Sequence, residues 1–217
     1  MDDYVNELDM NDQAQSRLSK LNEIRALGVD PYPARSGRTH TAQDAIAVFQ
    51  EWEAAEQAAQ ADQPAEGEPV QSLPNPVVTI VGRLRLRRAA GKATFAHIED
   101  ESGRVQLYFR TNDLQEKPWD YEAVNSLLDL GDFIQADGFM FRTRTGEVSL
   151  HVQNYRLLSK ALHPLPDKYH GLSDTETRYR QRYLDLIAND ESRTVFRART
   201  RVYRLCAGFS MPAVSLR

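Results

Sequence analysis

The chain has a single cysteine, Cys206, so no disulfide can form within it. Its five histidines are scattered, and none shares a Cys/His cluster at zinc-ligand spacing, so no metal ligand is named. No apolar run approaches the roughly 18 residues of a membrane span. The acidic N-terminus, MDDYVNELDM, has no apolar centre that would make it a secretory signal. These absences point to a cytoplasmic protein with no membrane partner. GRLRLRRAAGK lacks the glycine spacing and the Lys-Ser/Thr pair of a phosphate loop, and no histidine sits in a nucleophile–base pattern. No catalytic residue is therefore named. Positive charge is also missing locally. Ala42–Pro69 holds seven carboxylates and no Lys or Arg. The net charge of −4 thus conceals a basic region, Val77–Arg110, with seven cations against three acids. Local charge decides whether a polyanion is attracted, although a solvated strand face accounts for charge alone equally well.

What is present falls into three parts: residues 1–76, 77–162 and 163–217. In the first, Leu18, Leu21, Ile24 and Leu27 recur at helical spacing over Asp12–Leu27, with Gly28 placed to end the helix and Pro31 and Pro33 to stop its resumption. A second helix is expected over Thr41–Gln60, with Val48, Phe49 and Trp52 on its apolar side. Alanine, Glu and Gln then dominate to Gly67, as in an acidic insertion or linker.

From Val77 the period becomes two. VVTIVGRLRLRR puts Val78, Ile80, Gly82, Leu84 and Leu86 on one face and Thr79, Val81, Arg83, Arg85 and Arg87 on the other. Ala89-Ala90-Gly91 reads as a turn, TFAHIED and RVQLYFR as strands about a tight ESG turn, Tyr121–Leu130 as a helix ended by Gly131, and DFIQADGFMFRT and VSLHVQNYRLLS as two more strands. Three strands, a helix and two strands is the order of an OB-fold, and the short turns favour that closed barrel over a mixed sheet with one packed helix. The fold class is α+β: a five-stranded OB-fold β-barrel preceded by N-terminal helices and followed by a helical linker segment. That segment is read as helices over Thr177–Leu186 and Glu191–Leu205, with Asp190 as cap of the second. In the tail Cys206–Arg217 no helical period is visible.

An OB barrel binds single-stranded nucleic acid with cations for phosphates and aromatic rings for splayed bases. Here the first strand offers Arg83, Arg85, Arg87 and Arg88, the second Phe95, and the third Gln106, Tyr108 and Arg110. A strand phenylalanine is more often core. Ala96 and Ile98, however, supply the apolar alternates, which leaves Phe95 and His97 on the open face. Gln106 and Tyr108 share a face opposite Val105, Leu107 and Phe109. The scattered histidines, His97 and His151 among them, read as structural.

The chain resembles the N-terminal part of the class II lysyl-tRNA synthetase family. The residues that carry the resemblance are RLSKLNEIRALGVDPYP, GRLRLRRAAGKATFAHIEDESGRVQLY, LGDFIQADGFMFRTRTGEVSLHV and PLPDKYHGL followed by RYRQRYLDL. They occur in the family's order over about residues 15–204, whereas Gln50–Gln71 matches no family motif. The resemblance implies that the barrel reads the anticodon loop of a lysine-type, U-rich tRNA. Phe95 would stack on the central base, Arg88 and Gln106 would hydrogen-bond to it, and Glu147 would contact the first base. Arg83, Arg85, Arg87 and Arg110 would hold phosphates. It also implies a homodimer and a separate catalytic domain that joins lysine to tRNA with ATP and Mg²⁺.

The family continues after ARTRV with a first catalytic motif of the form RRFLDARGFLE, where this chain has CAGFSMPAVSLR. Codons allowed for those twelve residues, read from the third base of the first codon, encode RRFLDARGFLE. The expectation is a frameshifted, truncated C-terminus that removes most of the dimer interface, leaves Thr177–Arg217 loosely packed, and leaves RNA recognition without aminoacylation. The alternatives are a working lysine–tRNA ligase with the reading frame continued, and a fragment without function.

Overall fold

The computed structural model describes residues 12–61, 74–114, 120–166 and 174–209. The acidic N-terminus, the later part of the acidic stretch, most of PLPDKYHGL and the tail from residue 210 lie outside the described residues. Contacts divide the chain into two compact units, Met1–Pro164 and Leu165–Arg217.

In the first unit, helix α1 (Asp12–Ala26) ends where expected. Gly28 takes φ +74°, and the amides of Gly28 and Val29 bond back to Arg25 and Ile24. Its buried stripe is Ala14, Leu21 and Ile24. Leu27, expected on that stripe, follows the last turn and is exposed. Helix α2 (Ala42–Ala61) starts with a reciprocal cap: the Asp44 amide donates to Thr41 Oγ1 at 3.2 Å and the Thr41 amide to Asp44 Oδ2 at 3.3 Å. The turn after the second strand completes the cap, since Asp100 Oδ2 accepts from the Ala42 amide at 2.8 Å and Ser102 Oγ from the Gln43 amide at 3.1 Å.

The five expected strands are present: β1 (Val77–Ala90), β2 (Ala93–Glu99), β3 (Arg104–Arg110), β4 (Phe133–Arg142) and β5 (Val148–Ser159). They close in the order β1-β2-β3-β5-β4, with β3 and β5 parallel and the other pairs antiparallel. β1 serves two neighbours. Its first half pairs with β4 and its second with β2, and the crossover sits at Gly82, where a Cβ would lie 3.0 Å from the Glu99 carbonyl oxygen. Ala89 and Ala90 belong to the strand, not to a turn, because the β1–β2 hairpin turns on Gly91-Lys92 alone, with Gly91 at φ +61°.

The inward residues of all five strands form one core with Phe49 of α2, Ile24 of α1 and Val124 of α3 (Tyr121–Ser126). α3 is shorter than the expected Tyr121–Leu130. The Leu127 and Leu128 amides both return to the Ala123 carbonyl, and the chain then turns into β4. A buried ionic knot ties α1 to this region. Lys160 Nζ, at the end of β5, meets Asp132 at 2.8 Å and Asp129 at 2.6 Å, and Lys20 of α1 meets Asp129 at 2.6 Å.

The second unit is helical. The expected Thr177–Leu186 helix is two, α4 (Thr175–Arg180) and α5 (Arg182–Ala188), because the backbone leaves the helical region at Gln181. The break brings Arg178 within 2.9 Å of the buried Asp185, which Asn189 also reaches at 2.5 Å. Burial pushes the Asp185 carboxyl up, but hydrogen bonds from Asn189, Arg178, Ser192 and Arg182 outweigh it and hold the group well below the usual carboxylate range. Helix α6 runs Asp190–Phe209. Asp190 is its first residue instead of its cap, and the helix continues through Cys206–Phe209, where no helical period was read. Once nucleated, a helix propagates cheaply until a breaker stops it. Val195, Val202, Tyr203 and Leu205 on α6 are exposed. Among the described residues no helix is long and apolar enough to cross a membrane.

Candidate nucleic-acid interface

Strand alternation sorts β2 and β3 as expected. Ala96, Ile98, Val105, Leu107 and Phe109 are buried, and Phe95, His97 and Tyr108 lie half-buried on the outer face. The cross-strand register then assembles two adjacent rows on that face. One runs Arg88, Phe95, Tyr108, His151, Phe139 across β1, β2, β3, β5 and β4. The other runs Leu86, His97, Gln106, Ser149, Phe141.

The first row is a continuous aromatic surface. Ring centroids are 5.1 Å apart for Phe95–Tyr108, 5.3 Å for Tyr108–His151 and 4.7 Å for Phe139–His151. Phe141 meets the Tyr108 ring edge-on at 5.5 Å. His151 is anchored by Asp113, from the short turn after β3, at 2.6 Å. Gly138 makes this packing possible: a Cβ there would sit 1.9 Å from the His151 carbonyl oxygen. Such a row of π-faces is what stacked bases require.

The second row is polar. Gln106 Nε2 donates to Glu147 Oε2 at 2.6 Å, and the Ser149 hydroxyl donates to Gln106 Oε1 at 2.7 Å. His97 Nε2 lies 3.1 Å from Glu147 Oε1. Glu147 follows Gly146, whose φ of +89° makes the turn into β5. Hydrogen-bonding groups thus lie beside the stacking surface, the combination that base recognition needs.

The structure brings Phe95, Gln106, Glu147 and Arg88 to one face. Arg110, two residues beyond Tyr108, ends the same strand and is exposed. It does not bring Arg83, Arg85 or Arg87 to that face. β1 carries an extra residue between Leu84 and Leu86. Beyond this bulge the alternation inverts, so Leu86, expected on the same face as Ile80 and Leu84, is exposed and Arg87 points inward opposite Ala96. Arg87 donates to the Val124 and Leu128 carbonyls, both at 2.6 Å, at the C-terminal end of α3. Arg85 pairs with Glu99 at 2.9 Å. Arg83 donates to the Gly131 carbonyl at 3.1 Å and lies 4.3 Å from the Phe133 ring centroid. Burial, with the Arg85 charge beside it, holds the Arg83 guanidinium below its ordinary pKa.

Sequence reasoning passed over Phe139, Phe141 and Ser149, and read His97 and His151 as structural. The signal for the two phenylalanines was local, since Phe139 and Phe141 flank the buried Met140 with period two. The signal for Ser149 and His151 was not, because their place depends on the parallel β3–β5 pairing.

Residues 78–158 match the family described as OB-fold nucleic acid binding domain, of the tRNA anticodon type. Over 203 residues, 94% of this chain, the sequence is 42% identical to the lysine–tRNA ligase of Pelotomaculum thermopropionicum, of which it covers 35%. It is 42% identical over 197 residues to that of Bacillus subtilis and 43% identical over 194 residues to that of Staphylococcus saprophyticus, covering 36% of each. The chain thus spans about a third of the length of these curated relatives. Its barrel belongs to the OB-fold nucleic acid binding domains, and over some nine-tenths of its length the chain is similar to about a third of the length of lysine–tRNA ligases.

Proposed function

We propose that this chain recognises the anticodon loop of a lysine-type tRNA on the outer face of its barrel. The observation that carries the reading is the aromatic row Phe95–Tyr108–His151–Phe139, bordered by Arg88 and by the Gln106–Glu147 pair. Phe95 stacks on the central base of a U-rich loop. Arg88 and Gln106 hydrogen-bond to that base, and Glu147 accepts from the first. Arg110, the exposed cation at the end of β3, holds a phosphate, while Arg83, Arg85 and Arg87 stabilise the barrel that presents these groups. The test is binding of the chain to a U-rich anticodon stem-loop. Phe95→Ala should weaken it by about 1–3 kcal/mol; an unchanged affinity would return Phe95 to a packing role.

The relatives are named for joining lysine to tRNA, and that reaction uses ATP. The step assigned to this chain is RNA recognition. A complete ligase activity is the second reading, favoured by the similarity over nine-tenths of the chain. ATP–pyrophosphate exchange with lysine separates the two. The first reading expects none from this polypeptide by itself, and exchange above background would establish the second.

A further inference from the structure

We infer that Ser149 and Glu147 together hold the Gln106 side-chain amide with its nitrogen toward the open face, which makes Gln106 a reader of base acceptors. The inference rests on the reading of this face as an RNA-binding surface.

Ser149 is fully buried, and its hydroxyl donates to Gln106 Oε1 at 2.7 Å. The oxygen end of the amide is therefore engaged from within by a buried hydroxyl. The nitrogen end lies 2.6 Å from Oε2 of the half-exposed Glu147. Turning the amide over would set its oxygen against a carboxylate oxygen at that distance, acceptor against acceptor. The carboxylate is itself held from the other side by His97, whose Nε2 lies 3.1 Å from Glu147 Oε1. The other ring nitrogen, Nδ1, is buried without a hydrogen-bond partner, so the single polar contact of this ring is with Glu147. Gln106 is only 9% exposed. What it offers outward is the second proton of Nε2, because the first is taken by Glu147.

A fixed N–H discriminates. Uracil presents a keto oxygen at position 4, where cytosine presents an amino group. The first accepts from Gln106, and the second meets it donor to donor. A glutamine free to turn would serve both bases. Ser149, Glu147 and His97 are positioning residues in this arrangement, and Gln106 is the group that touches the base.

The test is binding of the full chain to two anticodon stem-loop RNAs that differ only by U or C at the middle loop base. The wild type is expected to prefer the U loop by about tenfold or more. Ser149→Ala combined with Glu147→Gln should narrow the preference to about threefold or less, because the amide can then turn over. Any contact of Glu147 with another base cancels in the ratio. A double variant that keeps the full preference overturns the inference. A measurement without variants is the nuclear Overhauser pattern of the free wild-type chain: the Gln106 amide protons should reach the Glu147 side chain, and proximity to Ser149 instead overturns it. Failure of the underlying reading looks different. The wild type would then bind neither loop above background, and Phe95→Ala would change nothing. Failure of this inference alone leaves Phe95-dependent binding intact.

Discussion

Arg88 lies directly across the β1–β2 ladder from Phe95 because β1 carries one extra residue after Leu84. Without that bulge Arg87 would stand on the outer face and Arg88 would point into the barrel. One inserted residue thus decides which of two adjacent arginines meets a ligand and which closes the end of a helix.

The two arginines should separate cleanly under substitution. Arg87→Ala removes both hydrogen bonds to the α3 carbonyls, and should cost about 1.5–3 kcal/mol of stability by urea denaturation while leaving RNA affinity of the folded chain unchanged. Arg88→Ala should change stability by no more than about 0.5 kcal/mol. It should weaken RNA binding by about 1–3 kcal/mol and relax the preference for the central base. Equal effects of the two substitutions on RNA binding would contradict the bulge-based assignment.

The Lys160 knot predicts a large single-site effect. Its ammonium is fully buried against Asp132, which is also fully buried, and against Asp129. Lys160→Ala leaves a buried carboxylate uncompensated, and should destabilise the barrel by about 3–5 kcal/mol. Replacing both partners, Lys160→Met with Asp132→Leu, should cost less than the single change. A double variant less stable than Lys160→Ala would show that the pair contributes more than it costs to bury.

Stability should fall in acid, with an identifiable share from Asp100. Burial alone would raise its carboxyl, but the Ser102 hydroxyl and the amides of Ala42, Gly103 and Ser102 outweigh burial and hold it below its ordinary range. Asp129, likewise pushed up by burial, is held down by Lys160 and Lys20. A carboxyl with a lowered folded pKa binds fewer protons folded than unfolded. Its contribution is present above the unfolded pKa of about 3.9 and is lost as pH falls through the folded value. Denaturation midpoints measured from neutral pH downward should therefore drop below about pH 5, and Asp100→Asn should flatten that drop. A variant with the wild-type slope would remove Asp100 from the account.

The exposed apolar positions of α6 should be tolerant in this chain. Val202 and Leu205 are 58% and 61% exposed. Val202→Gln and Leu205→Gln should each change unfolding free energy by no more than about 0.5 kcal/mol. A cost above 2 kcal/mol would reveal a packing partner for that face.

Much of the fold was legible because it rests on local periods. Period two over Val77–Arg88, Thr94–Asp100 and Arg104–Arg110, with glycines at the turns, placed the barrel strands to within two residues. Period 3.6 and Gly28 placed α1. The misplaced elements are those where a distant contact overrides the local signal: the Gln181 break, which serves the buried Asp185, and the turn after Ser126, where the chain prepares to re-enter the barrel. The site was legible in its residue types and much less so in its grouping. Phe95, Gln106 and Tyr108 could be assigned to the open face from their own strands. The partners of Gln106 could not, because Glu147 and Ser149 lie more than forty positions away and reach it only through the parallel β3–β5 pairing.

Taken by itself, the sequence determined the order of helices and strands, the inner and outer faces of β2 and β3, and the resemblance to a tRNA ligase, all of which follow from patterns of neighbouring residues. Only the tertiary structure decided which arginines reach the open face, that His151 joins it, and which end of the Gln106 amide is presented. Those depend on a one-residue shift in pairing and on cross-strand hydrogen bonds, and neither leaves a trace in local periodicity.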